Sequence, residues 1–598
     1  PTARMDEGAE PILKKNDIHG GRAEGVSVMS NGLGRLEHNN IHSNSASGVV
    51  ILSGGDPTML ENTIHRNREH GVLVTGDGYG ILEKNAIFQN VLAGVYIDNN
   101  SNPSIRRNKI SNGLGTGITV ADKGEGKIED NEIFLNKTAG LEVRDGGNPE
   151  VRVNRIYEGL GVGIRVGING LGRYVDNEIY RNSHAGVVVE EGADPYFEGN
   201  AIFEGETDGI NILVYAAGTF VRNKIQKNAL VGVVITSHAN PTFLNNLIAE
   251  NLRFGVQVSK LGRGVFEGNE IRDNVEAGMR IEQDASPLVQ KDNRIHAGKA
   301  EGILVTMNGG GIIRGNRVYG NVLAGIKVES SNPLVRKNLV YSGKGIGIHV
   351  TDNAAPRIER NDVFANMGAA MVIADGADPL VKKNLVHDGR ADAIVIEDGG
   401  RGTIEDNRIF MNANVGVKVM GGGNPDVINN EINNGNGVGV YLLPGARGKF
   451  AQNTIGGNYG DQLRVEGNPD GANNRHLHFI DNSISWATQP SLRRPELQHI
   501  IRAQADPKFI NEPEPPPIHS RGSTPGGSST RGSTPALPPP RSGSRSTLPA
   551  ADTRQRASER EASEMGSPMT RGNRSPASVR WTDEDGEAGS RSSKRFGA

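Results

Sequence analysis

Apolar residues along this chain fall in short alternating clusters that return every 23 positions. Each cluster opens on a small residue and continues with apolar side chains at alternate places. Gly71-Val72-Leu73-Val74, Gly140-Leu141-Glu142-Val143 and Gly416-Val417-Lys418-Val419 are examples. Alternation of period two puts the apolar side chains on one face of a strand. A second mark keeps the same beat: an Asn followed two places later by Ile or Val. It runs from Asn16 through Asn108, Asn131, Asn154, Asn177, Asn200 and Asn223 to Asn453. One interval, Asn269 to Asn293, is 24, and another, Asn316 to Asn338, is 22. A period this constant means one structural element stacked many times.

A unit of 23 residues is too short for helix-pair repeats, and it lacks the leucine spacing of leucine-rich repeats. It has room for three short strands and three turns, which is one coil of a parallel β-helix. The pattern therefore predicts an all-β fold, a right-handed single-stranded parallel β-helix solenoid of about twenty 23-residue coils. At the usual strand spacing of about 4.8 Å it would be a rod on the order of 95 Å long.

Coils alternate in two flavours. One carries a turn Pro every 46 residues, from Pro11 and Pro57 to Pro379 and Pro425, often as Gly-Asn-Pro or Ala-Asp-Pro. Asn or Asp before Pro favours an extended residue followed by a fixed φ. The other flavour has Gly at the matching place: Gly34, Gly80, Gly126, Gly172, Gly218, Gly264, Gly310, Gly402 and Gly448, with Pro356 interrupting. Charges beside the Asn alternate in sign, Arg106-Arg107 preceding Glu129-Asp130 and Lys382-Lys383 preceding Glu405-Asp406. Stacking would set opposite charges side by side, worth about 0.2–1 kcal/mol per exposed pair. The Asn column itself predicts a ladder of amide hydrogen bonds at a turn.

Residues 1–484 are assigned to the β-helix. Its start, Pro1 and not Met, with a coil under way by Asn16, reads as truncated. After Asn453 the rhythm loosens. Residues 485–511, with a short helix expected over 495–505, read as a C-terminal cap. Residues 512–598, rich in Ser, Pro, Arg and Gly, read as a disordered tail.

Composition adds exclusions. Aromatic residues are only 5%, suiting a narrow aliphatic core, and 81 Gly serve the many turns. With a net charge of −3, bulk electrostatics call for neither nucleic acid nor an anionic membrane. There is no Cys, so disulfides and thiolate metal sites are excluded. No apolar run approaches the ~18 residues of a membrane span. No cofactor or metal is expected.

Three places carry candidate chemistry. The third residue after each Asn is repeatedly a ring, including Phe134, Tyr157, Tyr180, Phe203, Tyr319 and Tyr341, joined by His19, His42, His65, His296 and His387. Such a column either stacks on itself or forms a stripe that grips a sugar chain or an extended peptide. Acidic rows recur only every second coil, roughly 10 Å apart, with basic rows between. No catalytic residue is assigned, because no acidic cluster breaks the repeat; the nearest outlier is Arg475-His476-Leu477-His478 with Asp481. In the tail, Thr524, Thr534, Ser567 and Ser575 each precede Pro and suit proline-directed phosphorylation. Leu537-Pro538-Pro539-Pro540-Arg541 suits capture by an SH3 or WW module.

Units such as Gly402-Thr403-Ile404-Glu405-Asp406-Asn407-Arg408-Ile409-Phe410 and Asn102-Pro103-Ser104-Ile105-Arg106-Arg107-Asn108-Lys109-Ile110 resemble the CASH-type parallel β-helix repeats of the F-box-only protein eleven family. The resemblance spans roughly residues 10 to 484. It implies a non-catalytic protein-binding scaffold that recognises substrates for an SCF-type ubiquitin ligase, in the cytoplasm or nucleus. This chain shows no F-box. The alternative is a carbohydrate-binding or polysaccharide-modifying β-helix, lyase-like or epimerase-like, although the Asp-Pro-His, Asn-Thr-Asp and Gly-His-Gly marks of such enzymes are absent.

Overall fold

The computed structural model describes residues 1–466 and 476–485. The proposed cap helix, the polyproline segment and the tail candidates Thr524, Thr534, Ser567 and Ser575 lie outside the described residues. These residues hold 63 strands, mostly of three residues, and no α-helix. Every strand pairs in parallel with the one three places later, which yields three long sheets of 21 strands each. The polypeptide therefore winds as a right-handed parallel β-helix, one strand per sheet per turn. We label the sheets A (through Val72–Thr75), B (through Ile81–Glu83) and C (through Ala86–Phe88).

One coil explains the rest. Val72 and Val74 from sheet A, Leu82 from B and Ile87 from C point inward and are fully buried. The register sets each beneath its counterpart of the next coil: Val72 against Val95, Leu82 against Ile105, Ile87 against Ile110. The small residue before each A strand has a steric cause. A Cβ on Gly71 would meet the Gly94 carbonyl oxygen at 2.5 Å and Ile87 Cγ2 at 2.6 Å. The sharp bend from B to C is made by a single left-handed residue, such as Lys84 (φ 54°) or Arg107 (φ 56°), immediately before the ladder Asn.

That Asn holds the bend. Asn131 donates from its backbone N–H and from Nδ2 to Asn154 Oδ1, at 3.0 and 2.9 Å. Its Nδ2 also reaches back to the Ile105 carbonyl at 2.8 Å. The same donors and acceptors recur at Asn108, Asn154, Asn177, Asn200 and Asn223, all buried, and always point toward the next coil. The file continues past the slack in the sequence, with Asn453 bonding Asn482 across 29 residues.

The two irregular intervals are absorbed at corners. The 24-residue coil places an additional left-handed residue, Asp292 beside Lys291, at the B-to-C bend. The 22-residue coil shortens the turn between the strands Ile326–Glu329 and Leu334–Arg336. This shift corrects one expectation: the Gly that faces the turn Pro here is Gly311 (φ 93°, over the Pro287 carbonyl) and not Gly310.

Candidate functional site

Sheet C carries the ring column on its outer side. Phe134, Tyr157, Tyr180 and Phe203 stack with centroids 5.0–5.1 Å apart and planes within 9°. Tyr319 and Tyr341 belong to a six-ring run from His296 to Phe410, and His19 to Phe88 form a third run. Ser111 separates the run ending at Phe88 from the one beginning at Phe134, and Gln226, Ala249 and Arg272 separate Phe203 from His296. Inside each run both faces of a ring are covered by its neighbours, so solvent meets ring edges. Arg155 adds a bond from Nη2 to the Tyr180 hydroxyl at 2.8 Å. Within the six-ring run His387 sits between Asp362 (2.8 Å) and Asp388 (2.7 Å). Burial opposes its charge, but the two carboxylates outweigh burial and lift its pKa to about 9.

Sheet A behaves differently. Its outward positions change character from coil to coil. Near one end they form a recess with a floor of small side chains: Ala93, Thr116, Thr119 (3% exposed), Ala121 and Ala139. On one side stand His70 and Tyr96, whose rings lie 4.7 Å apart at 39°. On the other stands Arg144, two coils away. Its Nη2 crosses the floor to donate to the Tyr96 hydroxyl at 3.1 Å, while Nη1 is held by Asp145. Asp98, two residues after Tyr96, keeps a buried Oδ1 with no hydrogen-bond partner. Buried carboxylate oxygens are normally satisfied, so an orphan facing such a recess needs an explanation.

The recess is electrostatically unlike its surroundings. Burial pushes the His70 pKa down to about 4, so the ring is neutral at pH 7. Its Nδ1 accepts a bond from the Ala93 N–H at 3.2 Å. Burial also raises the Tyr96 phenol, with the Arg144 guanidinium opposing. The result is a neutral imidazole, a phenol, a guanidinium and a carboxylate around a floor of small side chains.

Sequence reasoning missed this group because its members are 26, 28 and 74 positions from His70. The available signal was the loss of pattern at outward sheet A positions, where Tyr96, Thr119 and Glu142 replace the aliphatic Val50 and Leu73. Two further features were also missed. Asn44, Asn67, Asn90 and Asn136 begin a second buried amide ladder five residues after the first. Tyr174, Phe197, Phe220, Phe243 and Phe266 form an inward ring stack in sheet B, spaced 4.3–5.4 Å. The outlier near the C-terminal end places His478 in register with Lys449, while Arg475 lies outside the described residues. Among the described residues no cluster of three or more His, Cys, Asp or Glu could hold a metal ion, and no helix is long and apolar enough to cross a membrane.

A family model described as "Right handed beta helix region" matches residues 3–156, 144–291, 263–386 and 371–489. Among solved structures, the periplasmic alginate epimerase AlgG is similar at 12% identity and TM-score 0.34, over 54% of this chain and 78% of its own. The Azotobacter vinelandii mannuronan C-5 epimerase AlgE4 A-module is similar at 13% identity and TM-score 0.28, over 57% and 88%. The Dettilon tailspike protein is similar at 12% identity and TM-score 0.27, over 57% and 62%. These likenesses are of fold alone. No curated protein matches the chain.

Proposed function

This chain belongs to the right-handed β-helix family, and on that footing we propose that it binds an extended carbohydrate chain along the outer face of sheet A. The binding is centred on the recess between Tyr96 and Arg144. The observation that carries the reading is the Arg144–Tyr96 bridge over a floor of small side chains. Ligand sites combine a concave, mostly apolar surface with a few fixed polar groups. Here the rings of His70 and Tyr96 supply apolar surface for a sugar's C–H face, and Asp98, Thr119, Glu142 and Arg144 supply acceptors and donors for its hydroxyls. The ring column of sheet C is given a stabilising role, since its faces are used by its own neighbours.

A glycan array followed by calorimetry on retained oligosaccharides tests this. The wild type should retain at least one oligosaccharide class. Arg144→Ala or Tyr96→Phe should weaken that binding about tenfold, or roughly 1.4 kcal/mol. No retained glycan, or equal binding by Arg144→Ala, would overturn the reading.

A protein partner is the second reading. It is favoured by exposed apolar side chains on the turn entering sheet A, such as Leu252 (58% exposed) and Met367 (55%), beside outward apolar clusters around Val231–Phe254–Ala277 and Val372–Val395. Proximity labelling that depends on Leu252 and Met367 would favour it. The ligase role implied by the resemblance has no counterpart in the similar structures or in the described residues.

A further inference from the structure

The outer face of sheet B follows the alternation of charge along most of its length. Arg106 bonds Glu83 at 2.9 Å, and Arg107 lies 3.3 Å from both Glu83 and Asp130. Lys382 meets Glu405 at 2.9 Å. Between these regions the rule fails over four consecutive coils. The register sets Arg314 directly beside Arg336, two guanidiniums in like-charge opposition. Like charges so placed destabilise a sheet. Glu359 is the next residue in that column, but it turns to Arg357 of its own strand, 2.6 Å away.

The neighbouring corner column is also cationic. Lys337, Arg360 and Lys383 occupy the left-handed bend position of three successive coils. The two successive cations Lys84 and Arg107 at that position differ, because Lys84 pairs with Glu61 and Arg107 with Glu83 and Asp130. Among the described residues, no carboxylate lies within ion-pairing distance of Arg314, Arg336, Lys337 or Arg360; Lys383 has only Asp406, at 4.0 Å. Arg314 is held by Gln290 at 2.8 Å. Arg336 keeps a buried Nε with no hydrogen-bond partner. A shallow depression lined by Arg357, Glu359, Arg360, Leu380, Lys382 and Lys383 opens beside these side chains.

A protein of net charge −3 that leaves Arg314, Arg336, Lys337 and Arg360 without a carboxylate partner forgoes pairing it uses elsewhere. Such local violations of an otherwise consistent design mark functional sites. We infer that the sheet B face from Arg314 to Lys383 is a docking site for an acidic polysaccharide bearing one carboxylate or sulfate per sugar. The cationic rows lie about one strand spacing apart, roughly 4.8 Å, on a straight face. Anionic groups carried at intervals along an extended chain can therefore reach cations on several coils at once. A nucleic acid duplex carries its phosphates on a curved surface and would engage fewer rows. Guanidiniums without partners supply the paired donors that carboxylate and sulfate accept. This site is separate from the recess on sheet A and does not depend on it.

The test uses the full chain and four probes: polygalacturonate oligomers, heparin oligosaccharides, neutral maltooligosaccharides, and DNA of matched charge, by calorimetry at two ionic strengths. Polygalacturonate or heparin should bind, with affinity falling as salt rises, and whichever binds more tightly identifies the anionic group. The double variant Lys337→Glu/Arg360→Glu should lose at least tenfold, and Lys337→Gln/Arg360→Gln should lose less. The Gln pair keeps the test readable if charge reversal perturbs folding. A loss that appears in the Lys337 and Arg360 variants and scales with salt belongs to this face, which separates failure here from failure of the sheet A reading. Unchanged affinity in the Gln pair, absence of binding by both acidic glycans, or equal or tighter binding of maltooligosaccharide or DNA would overturn the inference.

Discussion

Sheets A and C are built from the same coils, yet their outer faces obey different rules. On sheet C the outward residue is a ring in coil after coil, stacked at about the strand spacing and bonded to its own neighbours. On sheet A it runs Leu73, Tyr96, Thr119, Glu142, Arg165 and Val188, with no two alike in succession. Repetition lets identical side chains satisfy one another, and once satisfied they have little left for a ligand. On sheet A, Asp98 Oδ1 is left without a partner. In this solenoid the regular columns serve stability, and the proposed binding site lies on an irregular one.

Six variants would break or sharpen that contrast. The largest effect belongs to the buried columns. Asn154→Ala removes the acceptor for two Asn131 donors and strands them in the interior. A loss of about 3–5 kcal/mol is expected in urea unfolding, with proteolysis opening the chain near that coil. Phe220→Ala in the inner ring stack should cost a similar amount, about 3–5 kcal/mol.

Next come two histidines with opposite signs. His387 has a folded pKa raised to about 9, so its contribution is full below pH 6.5 and vanishes as pH rises through 9. His387→Asn should therefore cost stability at pH 6, at most about 3 kcal/mol, and much less at pH 10. His70 has a folded pKa lowered to about 4, so the unfolded chain takes up its proton first. Stability attributable to it is retained above pH 6.5 and falls as pH drops toward 4, and His70→Gln should flatten that fall in thermal melts. Equal pH profiles for the two variants would remove the electrostatic distinction between the faces.

Tyr157→Ala interrupts an exposed stack and should cost about 1 kcal/mol while leaving glycan binding unchanged. The smallest stability effect is expected from Tyr96→Phe, within about 0.5 kcal/mol, because one surface hydroxyl bond is lost. If Tyr157→Ala abolished ligand binding and Tyr96→Phe did not, the roles assigned to the two faces would be exchanged.

The solenoid was legible in the sequence because its cause is local and repeated. The Gly before each A strand, the apolar triplet and the Asn at the bend are fixed by contacts within one coil or to the next. Even the 24- and 22-residue coils announced themselves, although the Gly310 assignment slipped by one because the inserted residue lies upstream at the Lys291–Asp292 corner. The recess was not legible. His70, Tyr96 and Arg144 meet only after the chain has wound three times, and each stands singly in an unremarkable coil. The inner ring stack escaped for a different reason: an inward Phe and an inward Val satisfy the same apolar position.

Every amide-to-amide bond of the bend ladder runs from Nδ2 to the Oδ1 of the following coil, from Asn16 to Asn453. Strand backbones largely cancel their own dipoles, but a file of side chains facing one way does not. It adds up as peptide units do in a helix, giving the solenoid an electrical axis whose negative pole lies at its first coil. Any stretch of this β-helix thus has unequal ends before any partner arrives.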